Sequence, residues 1–391
     1  HLCHAQSPPF VQVDPIEAPM HRVRCHHWQQ VAATQTAPVP PNGKEHLGHA
    51  AAVSSNGQEQ SALLQLQDVA ITYARNGLLQ RVQRRPLPPP TVDQVSLTVQ
   101  RGETLALVGE SGSGKTTLLR AIAGLKSPCA GQITFGTLDL ALPVKRRPRE
   151  LRRTIQFIFQ NPDASLNPRQ SVAQLLERPL RLYFDLQPDQ YHEQTGLLLE
   201  QVRLAPHYRE RFPSQLSGGE KQRVAIARAF AAQPELVLCD EVTSALDVSV
   251  QSAVLAVLAD LQTRQGVTYL FITHNLAVVR TIADRMAVLY HGRLCEIGPV
   301  AQLTTPPWHP YTETLLGAVP ALDSTALPRT LARDVRDPAP PVRGCPFQRR
   351  CPRHLGAICD ETTPPWHTAP NGRRMLCHIV PDELSRLQSP S

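Results

Sequence analysis

No run of eighteen apolar residues occurs in the 391-residue chain, and no charged-then-apolar leader opens it. A bilayer-spanning helix needs about 20 such residues, so nothing in the sequence is expected to cross a membrane or direct export. The chain is therefore expected to stay in the cytosol. RNP, zinc-finger and helix-turn-helix patterns are missing too, so the excess of 40 Lys and Arg over 33 Asp and Glu does not by itself mark a nucleic-acid binder. The densest basic stretch, Lys145 to Arg153, is interrupted by Pro148 and Glu150 and reads as solvated surface. A disordered composition is also lacking: 41% apolar residues over this length can fill a real core.

Nine cysteines are present, and a reducing compartment argues against disulfides. Cys129, Cys239 and Cys295 stand singly among apolar neighbours and read as small core or surface residues. Cys345, Cys351, Cys359 and Cys377 fall in one short tail, with five, seven and seventeen residues between them. Structural zinc sites usually begin with a C-x₂₋₄-C knuckle, and ferredoxin spacings also differ, so spacing alone names no metal.

Residues 31–60, rich in Ala, Thr, Pro, Ser, Gln and Gly, have the composition of a linker. Before it stand Cys3, four residues, Pro8-Pro9 and, fifteen residues on, Cys25-His26. Near the end stand Cys359, four residues, Pro364-Pro365 and, eleven residues on, Cys377-His378. The two matches in the same order, with a chain that opens on His1 rather than Met, lead to the expectation that residues 1–30 are the tail of a preceding, similar domain.

From Leu63 the pattern is that of an α/β protein. Leu64, Leu66, Val69 and Ile71 mark one strand, and Val95, Leu97 and Val99 alternate in a second, with a basic, proline-rich surface loop from Arg81 to Pro90 between them. Thr104 to Val108, Glu235 to Cys239 and Thr268 to Ile272 are short apolar runs of the kind buried parallel strands require. Each run stops at polar residues, which places the chemistry at the carboxyl ends of the strands.

Gly109-Glu110-Ser111-Gly112-Ser113-Gly114-Lys115-Thr116 fits G-x-x-x-x-G-K-[ST] between a predicted strand and the apolar-periodic segment Thr117 to Leu125. Glycine is needed there because the loop must wrap its backbone N–H groups around phosphate oxygens. The following helix adds its positive amino end, Lys115 a full charge, and Thr116 a hydroxyl for Mg²⁺. A glycine turn that binds nothing is the bland alternative, and the flanking strand and helix disfavour it. Asp240 and Glu241 end another apolar run, where one acid can hold the magnesium shell and the next can orient an attacking water.

Leu216-Ser217-Gly218-Gly219-Glu220, followed by Lys221-Gln222-Arg223, resembles the signature motif of ATP-binding-cassette (ABC) ATPases. Glu220 stands where many relatives have Gln. Tyr73 is similar to the family's adenine-stacking aromatic, Gln160 to its Q-loop residue, Ser244 to Asp247 to its D-loop, and His274 to its switch histidine. A lone Tyr or His fits a structural role equally well; the ordered set is what favours function. The resemblance implies an α/β P-loop fold over residues 61–300, with an antiparallel β-subdomain, a RecA-like core and a helical subdomain. It also implies ATP and Mg²⁺ as cofactors and two cassettes closing head to tail. Each ATP would then lie between one phosphate loop and the other domain's Ser217, Gly218 and Gly219.

Phe159 to Arg169, His309 to Thr312, and Gly344 to Phe347 with Arg350 to Pro352 resemble the dipeptide, oligopeptide and nickel importer ATPases. This implies a C-terminal extension over 301–391, membrane permease subunits as partners, a solute-binding protein acting indirectly, and a place at the cytoplasmic face of the membrane. No nucleic acid is expected. In similar importers the cysteine tail can hold a four-iron four-sulfur cluster; zinc and no metal are the alternatives for Cys345, Cys351, Cys359 and Cys377. Two rival classes remain: a soluble cassette ATPase acting on ribosomes or DNA, and a module that binds ATP without turnover, which Glu241 argues against.

Overall fold

A computed structural model describes residues 62–73, 90–317, 341 and 343–388, with the short segments 10–12 and 22–24. The chain divides into two units, His1–Glu59 and Gln60–Ser391. In the first, β1 (Phe10–Gln12) pairs antiparallel with β2 (Arg22–Arg24), Phe10 opposite Arg24. The stretch read as a linker, and the proline-rich loop apart from Pro90, lie outside the described residues.

In the second unit, β3 (Leu64–Ile71), β4 (Val92–Val99), β6 (Ala130–Phe135) and β7 (Leu138–Asp139) form an antiparallel sheet in the order β4-β3-β6-β7. The alternating residues Leu64, Leu66, Val95, Leu97 and Val99 all point inward and are buried. Five strands form the parallel part of the larger, eight-stranded sheet: β8 (Ile155–Ile158), β9 (Leu236–Asp240), β10 (Thr268–Ile272), β5 (Thr104–Val108) and β11 (Arg285–Tyr290), in that order. All residues of β5, β9 and β10 are buried, so these strands read as unbroken apolar runs rather than alternations.

Helix α1 (Lys115–Ile122) follows β5 and packs Leu118, Leu119 and Ile122 with the antiparallel sheet against one face of the large sheet. Beyond α2 (Arg149–Thr154) and the single turn α3 (Pro162–Ser165) comes the helical layer. It comprises α4 (Val172–Tyr183), α5 (Pro188–Gln201) and α6 (Gly218–Phe230), joined on the opposite face of the sheet by α7 (Val248–Gln265). Strand alternation divides these cores: Leu236 and Leu238 of β9 face the first, Val237 and Cys239 the second. Helix α8 (Leu276–Ile282) follows β10. Among the described residues no helix is long and apolar enough to cross a membrane.

One basic residue departs from its reading as solvated surface. Arg147 is buried, and its guanidinium donates to the carbonyls of Leu142, Ile122 and Leu140 at 2.7–2.9 Å. Three carbonyl acceptors are what make a buried guanidinium tolerable.

The C-terminal extension is built into the large sheet. After β12 (Arg293–Pro299) come α9 (Val300–Leu303), α10 (Pro310–Gly317), α11 (Ala357–Glu361), β13 (Trp366–Thr368), β14 (Arg374–Leu376) and α12 (Pro381–Gln388). Strand β14 pairs with β12, Met375 opposite Glu296, and β13 adds outside it. Arg373 donates to Glu296 Oε1 at 2.6 and 2.9 Å from two nitrogens, with both side chains buried. Burial raises the Glu296 pKa while Arg373 opposes that rise.

Arg373→Met leaves a buried carboxylate unpaired and should cost about 3–5 kcal/mol in urea unfolding, and adding Glu296→Leu should recover most of the loss. Helix α6 starts in a reciprocal capping box: Ser217 Oγ accepts the Glu220 N–H at 3.4 Å and Glu220 accepts the Ser217 N–H at 2.7 Å. The Tyr208 hydroxyl, donating to Glu220 at 2.5 Å, and then the Ser217 N–H hold the Glu220 pKa down. Its contribution is therefore present above the ordinary carboxylate range and lost as pH falls through the lowered value. Glu220→Ala should cost about 1 kcal/mol near neutral pH, Glu220→Gln less, with the gap narrowing in acid.

Candidate functional site

The loop between β5 and α1 is shaped by its glycines. Gly109, Gly112 and Gly114 take φ of 147°, 81° and 98°, and a Cβ on Gly114 would lie 2.8 Å from the Thr91 carbonyl. Ser111 and Gly112 are exposed at the tip while Ser113 is buried. Lys115 Nζ donates to the carbonyls of Gly109 and Glu110, both at 2.8 Å, and to Ser113 Oγ at 3.2 Å. Burial lowers the Lys115 pKa, and the carboxylates of Glu241, Asp240 and Glu110 oppose that fall.

Strand β9 delivers the acids to the same place. Thr116 Oγ1 donates to Asp240 Oδ1 at 2.8 Å. Burial raises the Asp240 pKa, against the Thr116 hydrogen bond. Glu241 adopts φ of 48°, a left-handed conformation that a non-glycine residue rarely takes. Its N–H is held by the Ile272 carbonyl of β10 at 3.1 Å. Gln160 Nε2, beyond the end of β8, donates to Glu241 Oε2 at 3.0 Å and to Ser244 Oγ at 3.4 Å. His274 Nδ1, beyond β10, stands 3.6 Å from Glu241 Oε1. Six of the expected residues thus converge at the carboxyl ends of β5, β8, β9 and β10. Thr116, Asp240 and Gln160 offer oxygen donors, the chemistry that suits Mg²⁺.

Tyr73 is half exposed, its hydroxyl 3.5 Å from Thr117 Oγ1 and its ring 4.8 Å from Lys126 Nζ. That places its hydroxyl beside the first turn of α1, while Lys126, beyond the carboxyl end of that helix, lies over the ring. Ser217 and Gly218 lie exposed at the start of α6, whereas Gly219 serves packing: a Cβ there would sit 2.3 Å from Val250 of α7. Glu220 turns back to cap its own helix. Asp247 caps α7, accepting the Val250 N–H at 2.9 Å and the Ser249 hydroxyl at 2.7 Å, and these hydrogen bonds lower its pKa.

The four tail cysteines are brought near one another but not into a metal site. Cys345, Cys351 and Cys359 pack with Tyr311 and Phe347, while Cys377 packs with Met375, Ile379 and Leu384. Burial pushes the Cys345 thiol up to about 11 and Cys351 to about 12, with neighbouring thiols adding to the rise. Among the described residues no group of three or more His, Cys, Asp or Glu is disposed to hold a metal ion, so the geometry does not support the iron–sulfur expectation. Of the three single cysteines, Cys239 and Cys295 are buried and Cys129 is exposed.

Two residues of the site carry no mark in the motif reading. Tyr311 and Arg350 belong to stretches that resemble importer ATPases, and both reach Glu110 of the loop. A cleft of about 450 Å³ lined by Leu180, Leu198, Phe230, Pro234 and Glu235 opens at the amino end of β9, away from this chemistry.

Residues 92–244 match the ABC transporter family, and residues 295–359 match the oligopeptide/dipeptide transporter C-terminal region. A probable peptide ABC transporter ATP-binding protein of Sinorhizobium fredii is 42% identical over 302 residues, covering 77% of this chain and 85% of that protein. The di/tripeptide transport ATP-binding protein DppF of Pseudomonas aeruginosa is 41% identical over 286 residues, 73% of this chain and 88% of that one. Among solved structures, a dimeric ATP-binding cassette in a post-hydrolysis state with ADP and Pi matches with a TM-score of 0.52 at 28% identity, covering 61% of this chain and 98% of that chain. With a phosphate loop, paired acids and signature helix in one cassette, followed by the importer-type extension, the chain belongs to the ATP-binding subunits of ABC transporters.

Proposed function

We propose that this chain hydrolyses ATP to drive import of peptides, or a related small solute such as nickel, through permease subunits at the cytoplasmic face of the membrane. The observation that carries the reading is the convergence of Lys115, Thr116, Asp240, Glu241, Gln160 and His274 at one end of the parallel sheet. The oligopeptide/dipeptide match over 295–359 supports peptides as the cargo, delivered by a solute-binding protein. In this reading the loop from Gly109 to Thr116 cradles the phosphates, Lys115 meets the β- and γ-phosphates, and Tyr73 stacks on adenine. Thr116 and Asp240, with Gln160 nearby, would hold magnesium, which would supply positive charge to the phosphate oxygens. Glu241 orients the attacking water, and His274, beside it, faces the γ-phosphate. Ser217 with the N–H groups of Gly218 and Gly219 caps the γ-phosphate bound to the other cassette, with Asp247 near the junction.

The second cassette is proposed to precede this one in the same polypeptide. The β1–β2 hairpin runs between Pro8-Pro9 and Cys25-His26, and the β13–β14 hairpin between Pro364-Pro365 and Cys377-His378. In both, the residue after the prolines pairs with the residue before the cysteine: Phe10 with Arg24, Trp366 with Leu376. A gene encoding no phosphate loop upstream of His1 would remove this proposal. The four-iron four-sulfur cluster on Cys345, Cys351, Cys359 and Cys377 rests on resemblance alone. Anaerobically purified protein should then carry about four irons and as many sulfides, and protein with neither discards it.

Reconstitution with the permease is the central test: peptide-stimulated ATP hydrolysis is expected, and binding to ribosomes in place of permease would overturn the reading. Glu241→Gln should keep ATP binding, trap the closed dimer and slow turnover by about 10²- to 10⁴-fold. Lys115→Ala should weaken binding itself by about tenfold or more, through loss of charge-assisted contacts. Because burial raises the Asp240 pKa, magnesium-dependent nucleotide binding should fail on acidification at a higher pH than an ordinary carboxylate would set. Nucleotide titrations across pH measure that point.

A further inference from the structure

Glu110, the second residue of the phosphate loop, is gripped from outside the loop by the C-terminal extension. The Tyr311 hydroxyl on α10 accepts the Glu110 N–H at 2.9 Å. Arg350 donates a two-pronged pair to the carboxylate, Nη1 to Oε2 at 2.8 Å and Nη2 to Oε1 at 2.9 Å. Lys115 takes the remaining polar group, the Glu110 carbonyl, at 2.8 Å. The Ser113 N–H shares that carbonyl at 3.2 Å, so all three polar groups of this loop residue are occupied, and two of the four partners come from residues 201 and 240 positions along the chain.

The gripping residues are themselves fixed. Tyr311 is fully buried, with ring centroids of Tyr290 and Phe347 at 4.6 and 5.3 Å. The Arg350 guanidinium lies 5.8 Å over the Tyr290 ring. Its segment is tied down by the Cys345 N–H donating to the Cys359 carbonyl at 2.7 Å and the Arg350 N–H to the Phe347 carbonyl at 3.1 Å.

A carboxylate in a loop that must receive a polyanion is a liability unless its charge is neutralised and turned aside. Bidentate pairing with a guanidinium does both, since it cancels the charge and sets its direction. The Tyr311 hydroxyl also occupies the Glu110 N–H, with a partner from the C-terminal extension. We propose that Arg350 and Tyr311 are positioning residues of the nucleotide site, through which the C-terminal extension sets the affinity for ATP. This rests on the reading that the loop binds ATP.

The test is ATP titration of hydrolysis in the assembled transporter, with nucleotide binding to the chain measured in parallel. Arg350→Gln should raise KM by about tenfold with kcat within about twofold, because a charge-assisted pair is lost and a carboxylate is left facing phosphate. Arg350→Lys should restore part of the loss. Adding Glu110→Gln to Arg350→Gln should lower KM again, since the repelling carboxylate is gone. Tyr311→Phe should raise KM by about threefold, the effect of one neutral hydrogen bond. Urea midpoints of the single and double variants separate affinity from folding: recovered KM with unrecovered stability upholds the proposal. An Arg350→Gln protein with the parent KM, or a double variant no better than Arg350→Gln, overturns it. A parent protein that retains no magnesium-ATP overturns the function as well; a parent that binds beside an Arg350→Gln that binds equally overturns this inference alone.

Discussion

A lysine ammonium held in a backbone loop, partly out of water, is the constraint around which the rest of the structure is arranged. Burial lowers the Lys115 pKa, so the charge that phosphate binding needs is one the fold disfavours. Three carboxylates work against that cost: Glu241 and Asp240 from the end of β9, and Glu110 from the loop itself. In the proposed function the same loop accepts further negative charge from a nucleotide. Each acid is accordingly tied to another group, Asp240 to Thr116, Glu241 to Gln160, and Glu110 to Arg350. The polar network is satisfied internally, which is the condition under which it can be both buried and ordered.

The sheet explains why these groups meet. Strands β5, β9 and β10 are adjacent and parallel, so their carboxyl ends deliver the phosphate loop, the acid pair and His274 to one edge. Glu241 leaves β9 at positive φ, a conformation that costs about 1–3 kcal/mol and is retained where surrounding structure over-determines it. Its N–H is pinned to β10 while its side chain lies between Gln160 and His274. The helical layer brings a different kind of surface. Ser217 and Asp247 both cap helices, so the residues proposed to meet a second cassette are held in place by the helix starts they complete.

The C-terminal extension is continuous with this machinery. Strand β14 lengthens the large sheet, the buried Glu296–Arg373 pair bridges β12 to the segment entering β14, and Tyr311 and Arg350 meet the phosphate loop. An element that resembles other importers in wording is, in three dimensions, in direct contact with the glycine loop before Lys115.

The sequence by itself determined the local chemistry. Apolar runs ending in polar residues became β5, β9 and β10, and the glycine pattern before Lys115 became a loop with positive φ at Gly109, Gly112 and Gly114. Those features depend on neighbours within a few residues, so a linear pattern suffices to reveal them. Tertiary structure decided the rest. Arg147 sits in a basic stretch yet is buried, because the carbonyls of Leu140 and Leu142 and that of Ile122 at the end of α1 converge on it. Gly219 lies in a phosphate-like motif yet is required by the approach of α7, and Glu220 is spent on its own helix cap. The cysteine tail has ligand chemistry, but its thiols divide between two apolar clusters. The contacts of Tyr311 and Arg350 with Glu110 span more than two hundred residues, and only the order of strands in the sheet brings such partners together.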